Sequence, residues 1–182
     1  MKINFKTCAE HDLWLYVATH LKAKGIDTVL VGGAVVSIYS EGAYKSGDLD
    51  FVLLTMFATQ LPQVMKEIGF ERQGGRHYVH PECKHLHVEF PGSHLEIGED
   101  NRITPAEVES EGQVIKILSP TDCVKDRLAS YIHFKARECL DQAVLVARKH
   151  PVKLSAIKSW CAGEGSPSAF DDFEKKLKTS EL

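Results

Sequence analysis

The sequence predicts an α+β fold, in which a small mixed β-sheet is flanked by helices and followed by a helical C-terminal part. Three observations favour this class. A short apolar run, residues 29–31, ends at a pair of glycines and is typical of a buried strand. Segments of alternating polar and apolar residues follow in the middle of the chain. Both ends carry apolar residues at helical spacing.

The composition is that of an ordinary globular protein. The chain has 182 residues, of which 43% are hydrophobic and 26% are charged, and its formal net charge is -3. This length suits one domain, or one domain with a helical appendage. The acidic balance argues against strong nonspecific nucleic-acid binding, which needs a basic surface. No apolar run approaches the ~20 residues that span a bilayer, so we expect no membrane association.

The cysteines and the N-terminus favour a cytoplasmic location. The five cysteines are odd in number and lack C-x-x-C spacing, which indicates reduced thiols. The first residues, Met1–Ile3, do not lead into a signal peptide.

Helices and strands alternate in the N-terminal part. Apolar residues between Cys8 and Lys24 fall on one helical face, and Gly25 stands where a C-terminal cap belongs. Apolar runs and turn residues predict the next elements: a strand over Ile26–Val31, a helix over Ala34–Tyr39, a strand over Asp48–Leu54 and a helix over Phe57–Ile68.

The middle of the chain is predicted to form strands. A turn at Pro81–Glu82 joins a strand over Arg76–Val79 to an alternating strand over His85–Phe90. Two more short strands are predicted over Leu95–Ile97 and Val114–Leu118.

The C-terminal part is predicted to be helical. Ser119 is a suitable N-cap, and Pro120 and Asp122 suit the first turn of the helix that follows it. Three more helices are predicted over Arg137–Lys149, Lys153–Cys161 and Ser168–Leu177. We therefore predict an α/β core over residues 1–118 and a C-terminal helical region, residues 119–182, packed on that core.

Two acidic residues begin the predicted strand over Asp48–Leu54. Because side chains alternate along a strand, Asp48 and Asp50 project to the same side, where their carboxylates repel each other. A divalent cation between them would relieve this repulsion, and hard oxygen ligands suit Mg2+. Glu89, in the alternating strand over His85–Phe90, is a third candidate carboxylate. The alternative is a polar strand edge with ordinary surface acids.

The glycine pair Gly32–Gly33 lies between the first predicted strand and the helix that follows it. Glycines allow a backbone to approach an anionic group closely, and the free N–H groups at the start of a helix point towards such a group. The turn is therefore a candidate phosphate site that faces the candidate metal site. The alternative is a tight turn that binds no ligand. The glycine pair indicates a phosphate site only in combination with the aspartates.

At these residues the chain resembles the polymerase-beta-type nucleotidyltransferase superfamily, in particular its minimal, standalone prokaryotic members. The resemblance rests on Gly32–Gly33, a spacer, and Asp48-Leu49-Asp50-Phe51 with hydrophobic residues on each side. It implies a nucleotidyltransferase-like fold. The chain also departs from the family pattern. Ala34 follows the glycine pair, whereas many members have Ser directly after a single Gly, the spacer is long, and Tyr44-Lys45-Ser46 stands where relatives often carry Arg-x-Thr.

The resemblance implies transfer of a nucleotidyl group from an NTP, with ATP as the expected donor, to a hydroxyl acceptor such as a small molecule, an RNA end or a protein. It also implies two Mg2+ ions ~3.5–4 Å apart. Asp48 and Asp50 would hold them, with Glu89 as the third ligand or as the base. The implied nucleotide contacts are Gly32, Gly33, Lys45, Ser46, Lys125 and Arg127.

Two other functions fit the sequence. The first is a catalytically inactive nucleotidyltransferase-like binding protein, such as a component of a toxin–antitoxin pair. The lack of a hydroxyl at Ala34 favours it, and the three retained acids argue against it. The second is a metal-binding protein centred on the histidines between His80 and His94, with Cys83. Because that segment lacks a second spaced ligand pair and structural zinc normally has four protein ligands, strand-surface or site-lining histidines are favoured.

Overall fold

A seven-stranded mixed β-sheet forms the centre of the protein, in a computed structural model that describes residues 2–179. The strands are β1 (Thr28–Val31), β2 (Asp48–Leu53), β3 (Glu71–Arg72), β4 (His77–His80), β5 (Cys83–Glu89), β6 (Ala106–Ser110) and β7 (Gln113–Ile117). Their order across the sheet is β3-β4-β5-β2-β1-β7-β6. The β1/β7 and β2/β5 pairs are parallel, and the other neighbours are antiparallel.

Helices precede, interrupt and follow the sheet. Over residues 2–179 they are α1 (Glu10–Ala23), α2 (Gly33–Tyr39), α3 (Leu61–Glu67), α4 (Pro120–His133), α5 (Glu138–Lys149), α6 (Leu154–Gly163) and α7 (Pro167–Thr179). The mixed sheet, its flanking helices and the helical C-terminal part confirm the predicted α+β class. None of these helices is long and apolar enough to cross a membrane.

Local signals in the sequence explain where α1 and α4 begin and end. After α1, the backbone N–H of Ile26 donates to the Leu21 carbonyl at 2.9 Å, and Gly25 takes the positive φ that this helix end requires. At the start of α4, the Ser119 side chain accepts a hydrogen bond from the Asp122 backbone N–H at 3.2 Å. The predicted Gly25 cap and Ser119 N-cap are therefore confirmed.

Helix α3 is shorter than predicted. The sequence predicted a helix from Phe57, but the helix begins at Leu61, so that Pro62 lies in the first turn, where its missing N–H costs no hydrogen bond. Phe57 has φ 55° and is 86% exposed, which is incompatible with the predicted helical start.

The strand predicted over Leu95–Ile97 is wrong, and β6 was not predicted. Residues 95–97 form an irregular segment with one isolated bridge between Ile97 and Asp100. Besides β1, β7 pairs with β6, which it meets across a tight turn at Glu111 and Gly112, where both residues have positive φ. This is the geometry of a two-residue hairpin turn.

Buried hydrophobic residues from the sheet and from the helices at both ends form one continuous core. Hydrogen bonds also cross the predicted boundary at residue 118: His150 Nε2 donates to the Tyr39 carbonyl at 2.9 Å, and the Trp160 indole N–H donates to the Ile97 carbonyl at 3.0 Å. The division into residues 1–118 and 119–182 stays a prediction. Met1 and residues 180–182, which belong to the predicted N-terminal segment and helical region, lie outside the described residues.

Candidate active site

Three carboxylates converge where β2 and β5 run side by side. The parallel register places Asp48 opposite His87 and Asp50 opposite Glu89. One oxygen from each of Asp48, Asp50 and Glu89 lies within 4.8 Å of the others. Alternation along β2 explains the pairing of the two aspartates on one face, and the β2/β5 register adds the third acid.

The electrostatics of this cluster fit a divalent cation. Burial, and then the neighbouring carboxylates of Asp48 and Glu89, raise the pKa of Asp50 to about 7, whereas Arg127 opposes the shift. The three carboxylates have too little positive charge around them. Their oxygens are the type of ligand that Mg2+ prefers, so a bound Mg2+ ion would supply the missing charge.

The glycine turn lies directly against Asp50. Gly32 has φ 76°, and a Cβ atom there would stand 2.4 Å from Asp50 Oδ2. A Cβ atom on Gly33 would stand 2.8 Å from the Ser46 hydroxyl and 3.4 Å from the Tyr44 hydroxyl. Only a residue without a side chain allows the backbone to come this close to the carboxylate.

The structure changes the interpretation of Ala34. This residue is 0% exposed and belongs to the hydrophobic core, so a hydroxyl at position 34 would be buried among apolar side chains. The hydroxyls of Ser46 and Tyr44 instead occupy the space next to Gly33. A hydroxyl therefore stands beside the turn, although it comes from the loop before β2.

Ser46 and Lys45 are held by a buried acid that the sequence analysis missed. The Ser46 hydroxyl donates to Asp48 Oδ1 at 3.0 Å, and the Ser46 backbone N–H donates to Glu10 Oε1 at 2.8 Å. Lys45 is 70% exposed, and its Nζ lies 3.8 Å from Glu10 Oε2. The Glu10 side chain is 4% exposed. Nothing in the sequence signals this burial, because an acid in the first turn of a helix is common on surfaces.

The two basic candidates of α4 point to different parts of the molecule. Arg127 is partly buried beside Asp126, with its Nη2 2.6 Å from Asp126 Oδ2, and its charge opposes the rise in the pKa of Asp50. Lys125 lies near Asp100 and Asp122, at 3.3 Å and 3.2 Å. Positions two apart on a helix do not share a face. The structure therefore brings Arg127, and not Lys125, to the carboxylates.

Glu89 also has neighbours that the sequence did not indicate. Arg76 Nε lies 3.7 Å from Glu89 Oε1, and His77 Nδ1 lies 3.6 Å from Glu89 Oε2. The antiparallel register of β4 and β5 sets His77 directly opposite Glu89. The register is irregular between Tyr78 and His80, which is why the turn alone could not predict this pairing.

No protein-family model matches the chain, and no curated protein is detectably similar to it in sequence. Solved structures are similar in fold. An antigenic nucleotidyltransferase-like protein from Paracoccidioides brasiliensis gives a TM-score of 0.56 at 20% identity, over 76% of this chain and 75% of that one.

Two antibiotic-modifying proteins are also similar. The lincosamide antibiotic adenylyltransferase LnuA, bound to lincomycin, gives a TM-score of 0.51 at 11% identity over 79% of this chain and 100% of that one. ANT(2″)-Ia in complex with adenylyl-2″-tobramycin gives 0.50 at 11% identity over 91% and 98% of the two chains. At these identities the comparisons show the fold, and they confirm the predicted nucleotidyltransferase-like architecture.

Proposed function

We propose that the protein is a Mg2+-dependent nucleotidyltransferase that moves an NMP group from an NTP to a hydroxyl acceptor. The observation that carries the proposal is the convergence of Asp48, Asp50 and Glu89 beside the Gly32–Gly33 turn. The fold shared with nucleotidyltransferase-like proteins supports it. ATP is the donor that we propose to test first. One of the similar structures is named as an adenylyltransferase, and another contains an adenylylated tobramycin.

The three carboxylates would hold two Mg2+ ions, and the ions would supply charge stabilisation on the phosphoryl oxygens. Asp50 must give up its proton before it can bind a cation, and Arg127 favours this ionisation. Ser46 fixes the orientation of Asp48 through its hydroxyl hydrogen bond. The Gly32–Gly33 backbone would take the triphosphate, because no side chain separates it from the carboxylates.

Glu89 is the residue we propose as proton acceptor for the attacking hydroxyl. A positioned carboxylate can accept this proton as the acceptor oxygen attacks the α-phosphorus and pyrophosphate leaves. Arg76 and His77 flank the Glu89 oxygens on the side away from β2. We also propose nucleotide contacts for Lys45, which lies near Glu10, and for Lys125, which lies near Asp100 and Asp122.

The acceptor that we propose to test first is a small molecule with free hydroxyls. Two proteins of similar fold carry lincomycin or an adenylylated tobramycin in their structures, which makes such compounds reasonable first acceptors. An RNA end and a protein hydroxyl are the other acceptors to assay. We also propose a cytoplasmic location, because a reducing compartment maintains free thiols such as the five in this chain.

The experiment compares two double variants. Asp48→Asn/Asp50→Asn keeps the shape of the site and removes its charge. The matched control, Glu107→Gln/Glu109→Gln, removes two acids that are also two apart on one face of a strand, but on the exposed edge strand β6. Binding of a non-hydrolysable ATP analogue is measured by calorimetry with and without Mg2+, and pyrophosphate release is measured with ATP and each class of acceptor.

We expect Mg2+-dependent binding and pyrophosphate release from the wild type and the control variant, and neither from Asp48→Asn/Asp50→Asn. Unchanged Mg2+-dependent binding in that variant would contradict the proposed site. Mg2+-dependent binding without pyrophosphate release on any acceptor would instead support an inactive nucleotidyltransferase-like binding protein.

A further inference from the structure

A second cluster of metal-binding side chains lies outside the carboxylate site. It consists of Cys8, in the segment before α1, and of Cys83 and His85, which are two positions apart on β5 and therefore project to the same face. One ligand atom from each residue lies within 4.8 Å of the other two. All five cysteines of the chain are free and buried, so both sulfurs of the cluster are available as ligands.

The distances match a tetrahedral metal site. Cys83 Sγ lies 3.9 Å from His85 Nδ1. With metal–sulfur and metal–nitrogen bonds of ~2.3 Å and ~2.0 Å, two ligands of a tetrahedral Zn2+ ion stand about 3.5 Å apart. A shift of a few tenths of an ångström would therefore bring the sulfur and the nitrogen into coordination distance.

The tautomer of His85 is already the one that a metal requires. Its Nε2 lies 2.9 Å from the Cys8 carbonyl oxygen, which can only accept a hydrogen bond, so Nε2 carries the proton. The lone pair is then on Nδ1, the nitrogen that faces the Cys83 sulfur. Metal-binding histidines usually donate their second ring nitrogen to a carbonyl or carboxylate in this way.

Room for a fourth ligand exists on the solvent side. A cavity of about 440 Å³ is bordered by Cys8 and His85 and also by Lys6, Glu10 and Ser46. His85 is exposed, so water can reach the cluster. The third ligand residue, Cys8, is distant in sequence from the other two, which explains why the segment around Cys83 lacked a complete ligand set in the sequence analysis.

We propose that Cys8 Sγ, Cys83 Sγ and His85 Nδ1 bind one Zn2+ ion, with water as the fourth ligand. Thiolate and imidazole ligands select zinc over magnesium, so this site is chemically distinct from the carboxylate site. The ion would fasten the segment before α1 to β5. Two residues after Cys8, Glu10 holds the Ser46 backbone beside Asp48, so the zinc site would support the loop of the candidate active site.

Cobalt is the probe, because Co2+ bound to thiolates gives a charge-transfer absorption that oxygen ligands do not give. The reduced, chelator-treated full chain is titrated with Co2+ and then with Zn2+, which should displace the cobalt. The variants are Cys83→Ser and His85→Gln. The controls are Cys161→Ser, which replaces a buried cysteine of α6 outside the cluster, and Asp48→Asn/Asp50→Asn, which removes the carboxylate site.

We expect one equivalent of thiolate-bound cobalt in the wild type and in both controls, and no charge-transfer band in Cys83→Ser. His85→Gln should bind Co2+ at least ~10-fold more weakly, because the loss of an outer-shell hydrogen-bond partner alone weakens metal binding by about that factor. No band in the wild type, or a band that persists in Cys83→Ser, would overturn the proposal.

Two measurements on the wild type remain if a variant does not fold. One equivalent of Zn2+ should raise the thermal unfolding midpoint, and excess Mg2+ should not cancel the increase. The absence of any shift would overturn the proposal. A Cys8–Cys83 disulfide in freshly purified protein, detected by mass after alkylation in denaturant, would also overturn it, because it would identify the pair as a redox element instead.

Discussion

Asp50 is the residue on which the charge balance of the candidate active site depends. It is the acid whose pKa is raised to about 7, first by burial and then by Asp48 and Glu89, while Arg127 provides the opposing charge. In the metal-free protein this carboxyl is therefore partly protonated near neutral pH. Cation binding must displace that proton, so it becomes easier as the pH rises.

This shift predicts how stability depends on pH. The folded pKa of Asp50 lies above its unfolded value of 3.8, so its contribution to stability is fully present below 3.8 and is lost as the pH rises towards about 7. In metal-free buffer the melting temperature of the wild type should fall, relative to that of Asp50→Asn, between pH 4 and pH 8. Thermal unfolding followed by circular dichroism at each pH measures this difference.

The comparison with Asp50→Asn removes the effects of other groups. Burial lowers the pKa of His80, which acts in the opposite direction, but His80 is present in both proteins. Addition of Mg2+ at pH 8 should raise the melting temperature of the wild type and leave Asp50→Asn nearly unchanged. Parallel pH profiles for the two metal-free proteins would show that Asp50 is not the titrating group.

A substitution at Glu89 tests proton transfer separately from nucleotide binding. Glu89→Gln is nearly isosteric, so the fold and much of the Mg2+-dependent nucleotide binding should survive, whereas turnover should fall by ~10²-fold or more, the usual contribution of a positioned base. Steady-state pyrophosphate release and calorimetric binding measure the two effects. Glu71→Gln, an exposed acid on β3 of the same sheet, is the control. Wild-type turnover in Glu89→Gln would remove this residue from the mechanism.

The sequence could predict those site residues whose relative orientation depends on a single strand. Asp48 and Asp50 share a face because alternation is a property of β2 alone. The sequence could not distinguish Arg127 from Lys125, because the direction that each faces depends on how α4 is rotated against the sheet. It also could not reveal Glu10, whose burial results from the packing of α1 against the loop before β2.

At the scale of the elements, the turn between β1 and α2 determines how closely the Gly32 backbone approaches the Asp50 carboxylate. Gly32→Ala and Gly25→Ala form a matched pair, because the two glycines have φ of 76° and 75°. Each alanine should cost ~1–2 kcal/mol for the left-handed backbone. Only the Cβ at position 32 would also contact Asp50, at 2.4 Å, because no atom of the described residues 2–179 lies within 4 Å of a Cβ at position 25.

We therefore expect Gly32→Ala to weaken Mg2+-dependent nucleotide binding by ~10-fold or more, the effect of an interaction worth ~1.4 kcal/mol, and Gly25→Ala to leave it unchanged. Calorimetry with Mg2+ and a non-hydrolysable NTP gives the affinities, and thermal unfolding gives the stabilities. Equal affinities with equal losses of stability would support a tight turn that has no ligand.

Two features of the sheet could not be predicted from local signals. A two-residue turn at Pro81–Glu82 pairs His80 with Cys83, and an uninterrupted ladder would then pair His77 with Leu86. The irregularity between Tyr78 and His80 shifts the register, so that His77 meets Glu89. Similarly, β6 pairs with β7 at the edge of the sheet and contains residues of low strand propensity such as Ala106, Glu107 and Glu109, so its clearest sequence signal was the Glu111–Gly112 turn.

At the scale of the whole molecule, periodicity predicted the class of fold and most helices, because helix caps and apolar stripes are local signals. Strand order is not local. The β2/β5 pair joins strands separated by α3 and the β3/β4 hairpin, and it is this pair that brings Glu89 to the aspartates. The packing of the C-terminal helices on the sheet is equally non-local.

The last prediction concerns whether the C-terminal helices unfold with the sheet. The buried core continues across the predicted boundary at residue 118, and hydrogen bonds from Trp160 to Ile97 and from His150 to Tyr39 cross it. A separate domain would have its own core and few such links. We therefore expect one cooperative unit, in which both parts lose structure at the same denaturant concentration.

The two tryptophans allow this to be measured, because Trp14 lies in α1 and Trp160 lies in α6. Trp14→Phe leaves a fluorescence probe in the helical part, and Trp160→Phe leaves one in the N-terminal part. In each variant the urea midpoint from tryptophan fluorescence should coincide with the midpoint from circular dichroism, which reports the whole chain. If Trp160 fluorescence changed at a lower urea concentration than the dichroism signal, the helices after residue 118 would be a separately unfolding region.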